Sequence, residues 1–115
     1  MMMQPFLSSA TTHKIGFLTI GFEADVVNAR NLTSLLAQKM DFDKTSCIRI
    51  GTTVSELSRN MIEHANGGTI SFFIASREND SPGLIMQFKD NGNGIQNLKE
   101  IQNGTFQSNQ GMGVG

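Results

Sequence analysis

The sequence predicts an α/β fold, a two-layer sandwich of helices on an antiparallel sheet. Three observations carry that prediction. The apolar residues leave strand-like alternation for a three-and-four spacing at Glu23, and alternation returns at Thr69. Two alternating segments, Thr69 to Ser76 and Gly83 to Lys89, are joined by a short polar stretch, which implies antiparallel pairing. The two helical stretches are consecutive, so both collect on one face of the sheet. Leu, Ile, Val and Phe supply 30 of the 115 residues, a share above the roughly 20 % below which chains read as disordered. One domain with a modest core is the expected outcome.

Met1 to Thr12 reads as an unstructured leader with Pro5 and a Ser-Ser-Ala-Thr-Thr stretch. It carries no Lys or Arg ahead of an apolar core, which argues against a secretory signal. His13 to Phe22 alternates, with Ile15, Phe17 and Thr19 facing one way and Leu18 and Ile20 the other. A helix follows from Glu23, marked by Val26, Ala29, Thr33, Leu36 and Met40. Glu23 and Asp25 lie in its first turn, where the helix dipole favours anions. Asp43 is the expected N-cap of a second helix, striped by Ile50, Val54, Leu57 and Met61, with Gly51 as an interior irregularity. Asn66-Gly67-Gly68 ends it, as residues that tolerate the left-handed conformation do. In the strands that follow, Ile70, Phe72 and Ile74 share a face, as do Leu84, Met86 and Phe88. The stretch Arg77 to Pro82 between them is a polar loop. Ile95, Leu98 and Ile101 predict a short helix over 95–102, ahead of a glycine-rich tail.

Composition excludes several classes of function. Nine basic and ten acidic residues give a net charge of -1, with no basic run, so a nucleic-acid footprint is not indicated. No apolar run approaches the roughly 18 residues of a membrane span. A single cysteine, Cys47, cannot form an internal disulfide, which fits a reducing, cytoplasmic setting.

Three patterns could carry chemistry. Glu56 and Asn60 are four apart and share one face of the second helix, with Glu63 and His64 close by. Asn60 could supply one oxygen to a Mg²⁺ that otherwise keeps waters and phosphate oxygens, and Glu56 could deprotonate a hydroxyl. Alone, the pair fits an ordinary solvated helix face. Asp90-Asn91-Gly92-Asn93-Gly94-Ile95 lies at a strand end, where glycines permit positive φ and close ligand approach. A carboxylate there could accept a hydrogen bond from a base amino group, although an ordinary Asn-Gly turn has the same composition. Seven of the twelve glycines fall between Gly83 and Gly115. The last of them form Gly-x-Gly-x-Gly at Gly111, Gly113 and Gly115, whose backbone N–H groups could face phosphate.

In this order, a Glu-x-x-x-Asn helix, an Asp-x-Gly-x-Gly turn and Gly-x-Gly-x-Gly resemble the ATP-binding superfamily of gyrase, heat-shock chaperones, histidine kinases and MutL, the GHKL or Bergerat fold. Val54-Ser55-Glu56-Leu57-Ser58-Arg59-Asn60 is most similar to the bacterial serine-protein kinases of partner switching, the anti-sigma-factor and stressosome switch kinases. Phe22 to Arg30 resembles their first helix, and Thr105-Phe106 fits ahead of the glycine loop. The resemblance covers roughly Ile15 to Gly115. It implies ATP and Mg²⁺ as cofactors, with Asn60 as the metal ligand and Glu56 as the group that activates the acceptor serine. It also implies Asp90 as the carboxylate that bonds the adenine amino group, Gly92 and Gly94 as the turn against adenine, and Gly111, Gly113 and Gly115 around the triphosphate. Arg59 sits beside Asn60 as in the kinases, where contact with phosphate or a partner competes with a surface ion pair. His64 occupies the place of a histidine seen in some relatives and is expected to pack at the helix end without a catalytic role. Asn93 departs from the proline common at that point, which a turn tolerates.

The family continues past the glycine loop with a helix, two strands and an adenine-site threonine. The expectation is therefore a C-terminally truncated domain over residues 13–115. Its tail would be disordered, or ordered only by ligand or a neighbouring chain; either the chain is a fragment or an abbreviated gene product, or partner chains cover its open apolar face, for example by exchange in a homodimer. The implied activity is transfer of the γ-phosphate to a serine of a STAS-type antagonist, with a PPM-type serine phosphatase or a sigma factor as further partners. Two other readings stay open: a non-catalytic binding module of the same fold, and the ATPase half of a sensor histidine kinase.

Overall fold

The computed structural model describes residues 11–76, 81–92, 94–101 and 106–110. The chain runs β1 (Thr11–Ile20), α1 (Glu23–Lys39), α2 (Lys44–Ala65), β2 (Gly68–Ser76), β3 (Gly83–Asp90), β4 (Ile95–Ile101) and β5 (Phe106–Gln110). The five strands form one antiparallel sheet in sequential order.

At both helix starts an aspartate carboxylate accepts from backbone N–H groups. Asp25 Oδ2 accepts from the N–H groups of Gly21 and Phe22, each at 2.9 Å. These bonds hold its carboxyl below the usual range. Asp43 is the N-cap of α2: its Oδ1 accepts from the Ser46 N–H at 2.7 Å, and its carboxyl is lowered chiefly by that bond. α2 ends at Asn66 in the left-handed conformation, φ 60°, followed by Gly67 at φ 103°. Gly68 opens β2. Gly51 has a packing reason: a Cβ there would lie 2.8 Å from Ser34 Oγ and 3.3 Å from Arg30 Cγ, so the glycine lets α2 approach α1 closely.

The core lies between the helices and one face of the sheet. Ile50, Val54 and Met61 of α2 and Ala29 and Ala37 of α1 cluster with Ile70, Phe72, Leu84, Met86 and Phe88. The expected faces of β2 and β3 are the observed ones, and register pairs Ile70 with Phe88, Phe72 with Met86 and Ile74 with Leu84. Burying these matched rows from water is the main stabilising term. A register shift between Lys14 and Gly16 makes Ile15 the extra residue of an edge-strand bulge. Phe17 and Ile15 stay 62 % and 48 % exposed, and Lys14 Nζ sits 5.7 Å from the Phe17 ring centroid.

One element differs from expectation. Residues 95–101 form strand β4, not a helix, and pair with β3 from Lys89↔Ile95 to Gly83↔Ile101. The three-residue spacing of Ile95, Leu98 and Ile101 suits a helix turn. However, isolated helices much below about 12 residues are marginal, and the second edge of β3 offers a full row of backbone partners. β5 then takes residues expected to be loop, pairing Glu100↔Phe106 through Gln96↔Gln110. β1 begins at Thr11, two residues inside the expected leader. Residues 1–10, 77–80, Asn93, Thr105 and the glycines Gly111, Gly113 and Gly115 lie outside the described residues.

Candidate functional site

Glu56 and Asn60 are both exposed on α2, on the side turned away from the core stripe of Ile50, Val54 and Met61. Their four-residue spacing keeps them one turn apart on a single face. Arg59 projects toward α1 and is bound there: its Nη2 and Nε reach Glu23 Oε2 at 3.1 Å and 3.3 Å. With side chains 45 % and 64 % exposed, this pair contributes little stability, but it ties the start of α1 to the stretch of α2 beside Asn60. His64 does not pack at the helix end; it is exposed, 3.9 Å from the equally exposed Glu63.

The Asp90 turn is a closed structure. Asp90 Oδ1 accepts from the N–H groups of Gly92 and Gly94, both at 2.9 Å, and the Asp90 N–H donates to the Gly94 carbonyl at 3.0 Å. Neither glycine has a positive φ, since among the described glycines only Gly16 and Gly67 do, and only Gly94 is needed for clearance. A Cβ on Gly94 would fall 2.5 Å from Asp90 Oδ2, whereas at Gly92 it would meet only ordinary contacts. Gly94 therefore keeps open the space beside Oδ2, the carboxylate oxygen that accepts no hydrogen bond from Gly92 or Gly94.

The turn is fastened to the C-terminal end of α2. The Asn91 N–H donates to the Gly67 carbonyl at 2.9 Å, and Asn91 Nδ2 donates to the Asn66 carbonyl at 3.1 Å. Gly68 completes the junction: a Cβ there would strike the Lys89 carbonyl oxygen and come within 2.7 Å of Asp90 Cα and 2.9 Å of Met61 Sδ. Asn60 lies five residues before Ala65, about 7.5 Å along the helix axis. The helix that carries Glu56 and Asn60 is thus hydrogen-bonded, through its cap, to the Asp90 turn. Asn91 and Gly68 are the two residues of this junction that motif reading passed over. A signal existed for Gly68: a left-handed helix end is satisfied by Asn66 and Gly67, so a third small residue points to close backbone approach.

Two acceptors are open to a nucleotide and its metal. Asp90 Oδ2 is an acceptor in a cradle that a single methyl would fill. Asn60 offers one neutral oxygen. No group of three or more His, Cys, Asp or Glu among the described residues could hold a metal, so a metal would arrive with phosphate oxygens and water as its other ligands. A separate open cleft of about 560 Å³, lined by Ser34, Gln38, Phe42, Lys44, Cys47 and Ile48, lies at the other end of α2. Lys44 is about 24 Å along the helix from Asn60, so the cleft is not part of this site.

Comparison with known proteins gives a direct answer on descent. The chain is 33 % identical over 94 residues to the serine/threonine-protein kinase RsbT of Bacillus subtilis (strain 168), covering 81 % of this chain and 69 % of that one. The chain belongs to the RsbT-type family of serine/threonine-protein kinases. This agrees with the switch-kinase resemblance carried by Glu56, Asn60 and Asp90. No family model matches the chain, and no solved structure matches it. No helix among the described residues of this RsbT-type chain is long and apolar enough to cross a membrane.

Proposed function

We propose that the chain is a Bergerat-type ATP-binding domain that acts as a cytoplasmic serine-protein kinase in partner switching, with a serine of a STAS-type antagonist as acceptor. The observation that carries this reading is the junction of the Asp90 turn with the end of α2. It hydrogen-bonds the turn that holds the Asp90 carboxylate to the cap of the helix that carries Asn60 and Glu56, in a chain of the RsbT family, and this supports the reading. Asp90 Oδ2 accepts from the adenine amino group, and Gly92 and Gly94 let the ring approach. Asn60 contributes one oxygen ligand to Mg²⁺. Glu56, one turn away, takes the proton of the acceptor hydroxyl. The family resemblance assigns Gly111, Gly113 and Gly115, which lie outside the described residues, to the triphosphate. Bound Mg²⁺ neutralises phosphate charge, which is most of what phosphoryl transfer asks of a protein beyond positioning. The test is transfer of labelled phosphate from ATP to a purified STAS-domain protein; an Asn60→Ala chain that transfers as fast as the parent removes the metal role.

A second reading is a binding module without transfer. The exposed Phe17 and Ile15 on the sheet favour it, since exposed apolar surface marks protein contacts. Binding of the STAS-domain protein with no saturable Mg·ATP binding would select this reading.

A further inference from the structure

We infer that Asn91 is a positioning residue that locks the base-reading turn to the helix bearing Asn60 and Glu56, and so couples adenine binding to metal and phosphate binding. The inference rests on the nucleotide reading above and adds a residue to it.

Asn91 makes two separate bonds to the carbonyls of Asn66 and Gly67, the cap that follows α2. Its N–H meets the Gly67 carbonyl at 2.9 Å and its Nδ2 meets the Asn66 carbonyl at 3.1 Å. Because the partner of the side chain is a carbonyl, only the amide nitrogen of Asn91 can serve, and an aspartate could not. The carbonyls at a helix end have no partner within the helix. The side chain of Asn91 therefore supplies the end of α2 with a bond that belongs to the neighbouring turn.

The internal order of that turn does not depend on this side chain. Asp90 is held by the Gly92 and Gly94 N–H groups and by its own N–H to Gly94. Removing the Asn91 amide leaves the Asp90 carboxylate formed and the backbone bond to Gly67 in place. What loosens is the spacing between the turn and α2, along which Asn60 sits. A ligand that touches only the turn should scarcely sense the change. A ligand that spans from Asp90 to Asn60 should lose affinity, because the two ends of its site no longer come pre-set.

The test compares adenosine with Mg·ATP by calorimetric titration of the parent, Asn91→Ala and Asn91→Asp chains, each checked by thermal melting. Asn91→Ala should weaken Mg·ATP about three- to tenfold, within the span of one lost hydrogen bond, while adenosine affinity stays within twofold. Asn91→Asp, which sets a carboxylate against the Asn66 carbonyl, should weaken Mg·ATP at least as much and decides the matter if the alanine variant does not fold. Equal losses for both ligands, or Mg·ATP affinity within twofold of the parent in both variants, overturns the positioning role. A parent chain that binds neither ligand overturns the nucleotide reading itself, and the positioning role falls with it.

Discussion

Asp90 and Gly94 bond each other in both directions. The Gly94 N–H donates to Asp90 Oδ1 at 2.9 Å and the Asp90 N–H donates to the Gly94 carbonyl at 3.0 Å. This reciprocal pair fixes the carboxylate and leaves Oδ2 facing the space that Gly94 keeps clear. A substitution at Gly94 therefore tests the site without removing any of its polar groups.

Gly94→Ala should do two things. The added methyl competes with Asp90 Oδ2 for the same space, so the turn must shift, at a cost of about 1–3 kcal/mol in thermal or denaturant unfolding. Binding of a fluorescent ATP analogue should weaken by at least about tenfold, the equivalent of roughly 1.4 kcal/mol. An extrinsic fluorophore is needed because the chain has no Trp and no Tyr. Gly92→Ala, whose methyl meets only ordinary contacts, should be much milder in both measurements. Equal effects at the two positions would contradict the clearance argument.

Ser58 offers a prediction of the opposite sign. It is fully buried in α2, and its hydroxyl has no hydrogen-bond partner among the described residues. Ser55, three residues earlier, bonds the Gly51 carbonyl at 3.0 Å. An unsatisfied buried hydroxyl is destabilising, and Ala is the better helix former. Ser58→Ala should raise stability by about 1 kcal/mol, a rise of several degrees in melting temperature. Ser55→Ala should not. Destabilisation by Ser58→Ala would show that the hydroxyl is satisfied in solution.

The two helix starts should make the fold sensitive to acid. Asp25 is lowered by the Gly21 and Phe22 N–H groups, and Asp43 by Ser46. A carboxyl lowered in the folded state adds stability that is fully present above its unfolded value of about 3.9. That stability is lost as pH falls through the lower folded value. Melting temperature should hold between pH 7 and pH 5 and fall below pH 4. Asp25→Asn and Asp43→Asn keep an acceptor oxygen but no charge, and each should flatten the fall. Unchanged acid slopes in both variants would place the sensitivity elsewhere.

Local signals make much of this fold legible. Asp43 announces α2, Asn66-Gly67 ends it, and the alternation within β2 and β3 is enough to set their buried faces. β4 is not legible, because Ile95, Leu98 and Ile101 satisfy a helical spacing and only the open edge of β3 selects the strand. In the site, Asp90 and Gly94 are legible as a pair, but the service each does the other is not. Gly94 gives clearance, which depends on where a carboxylate folds back, whereas positive φ is what a sequence suggests for a turn glycine. The partners of Arg59 and Asn91 are hidden for a simpler reason. Glu23 is 36 residues from Arg59 and Asn66 is 25 from Asn91, separations over which only the assembled fold decides contact.

In the proposed function, Asn60 and Asp90 hold two ends of one Mg·ATP molecule. Calorimetric titration of ATP with and without Mg²⁺, on the parent and on Asn60→Ala, tests it most directly. The parent should bind ATP saturably and more tightly with Mg²⁺ than without, and Asn60→Ala should lose that Mg²⁺-dependent gain while keeping the weaker metal-free binding. Absence of saturable binding in the parent would rule out the nucleotide site, and an undiminished Mg²⁺ effect in Asn60→Ala would rule out Asn60 as the metal ligand.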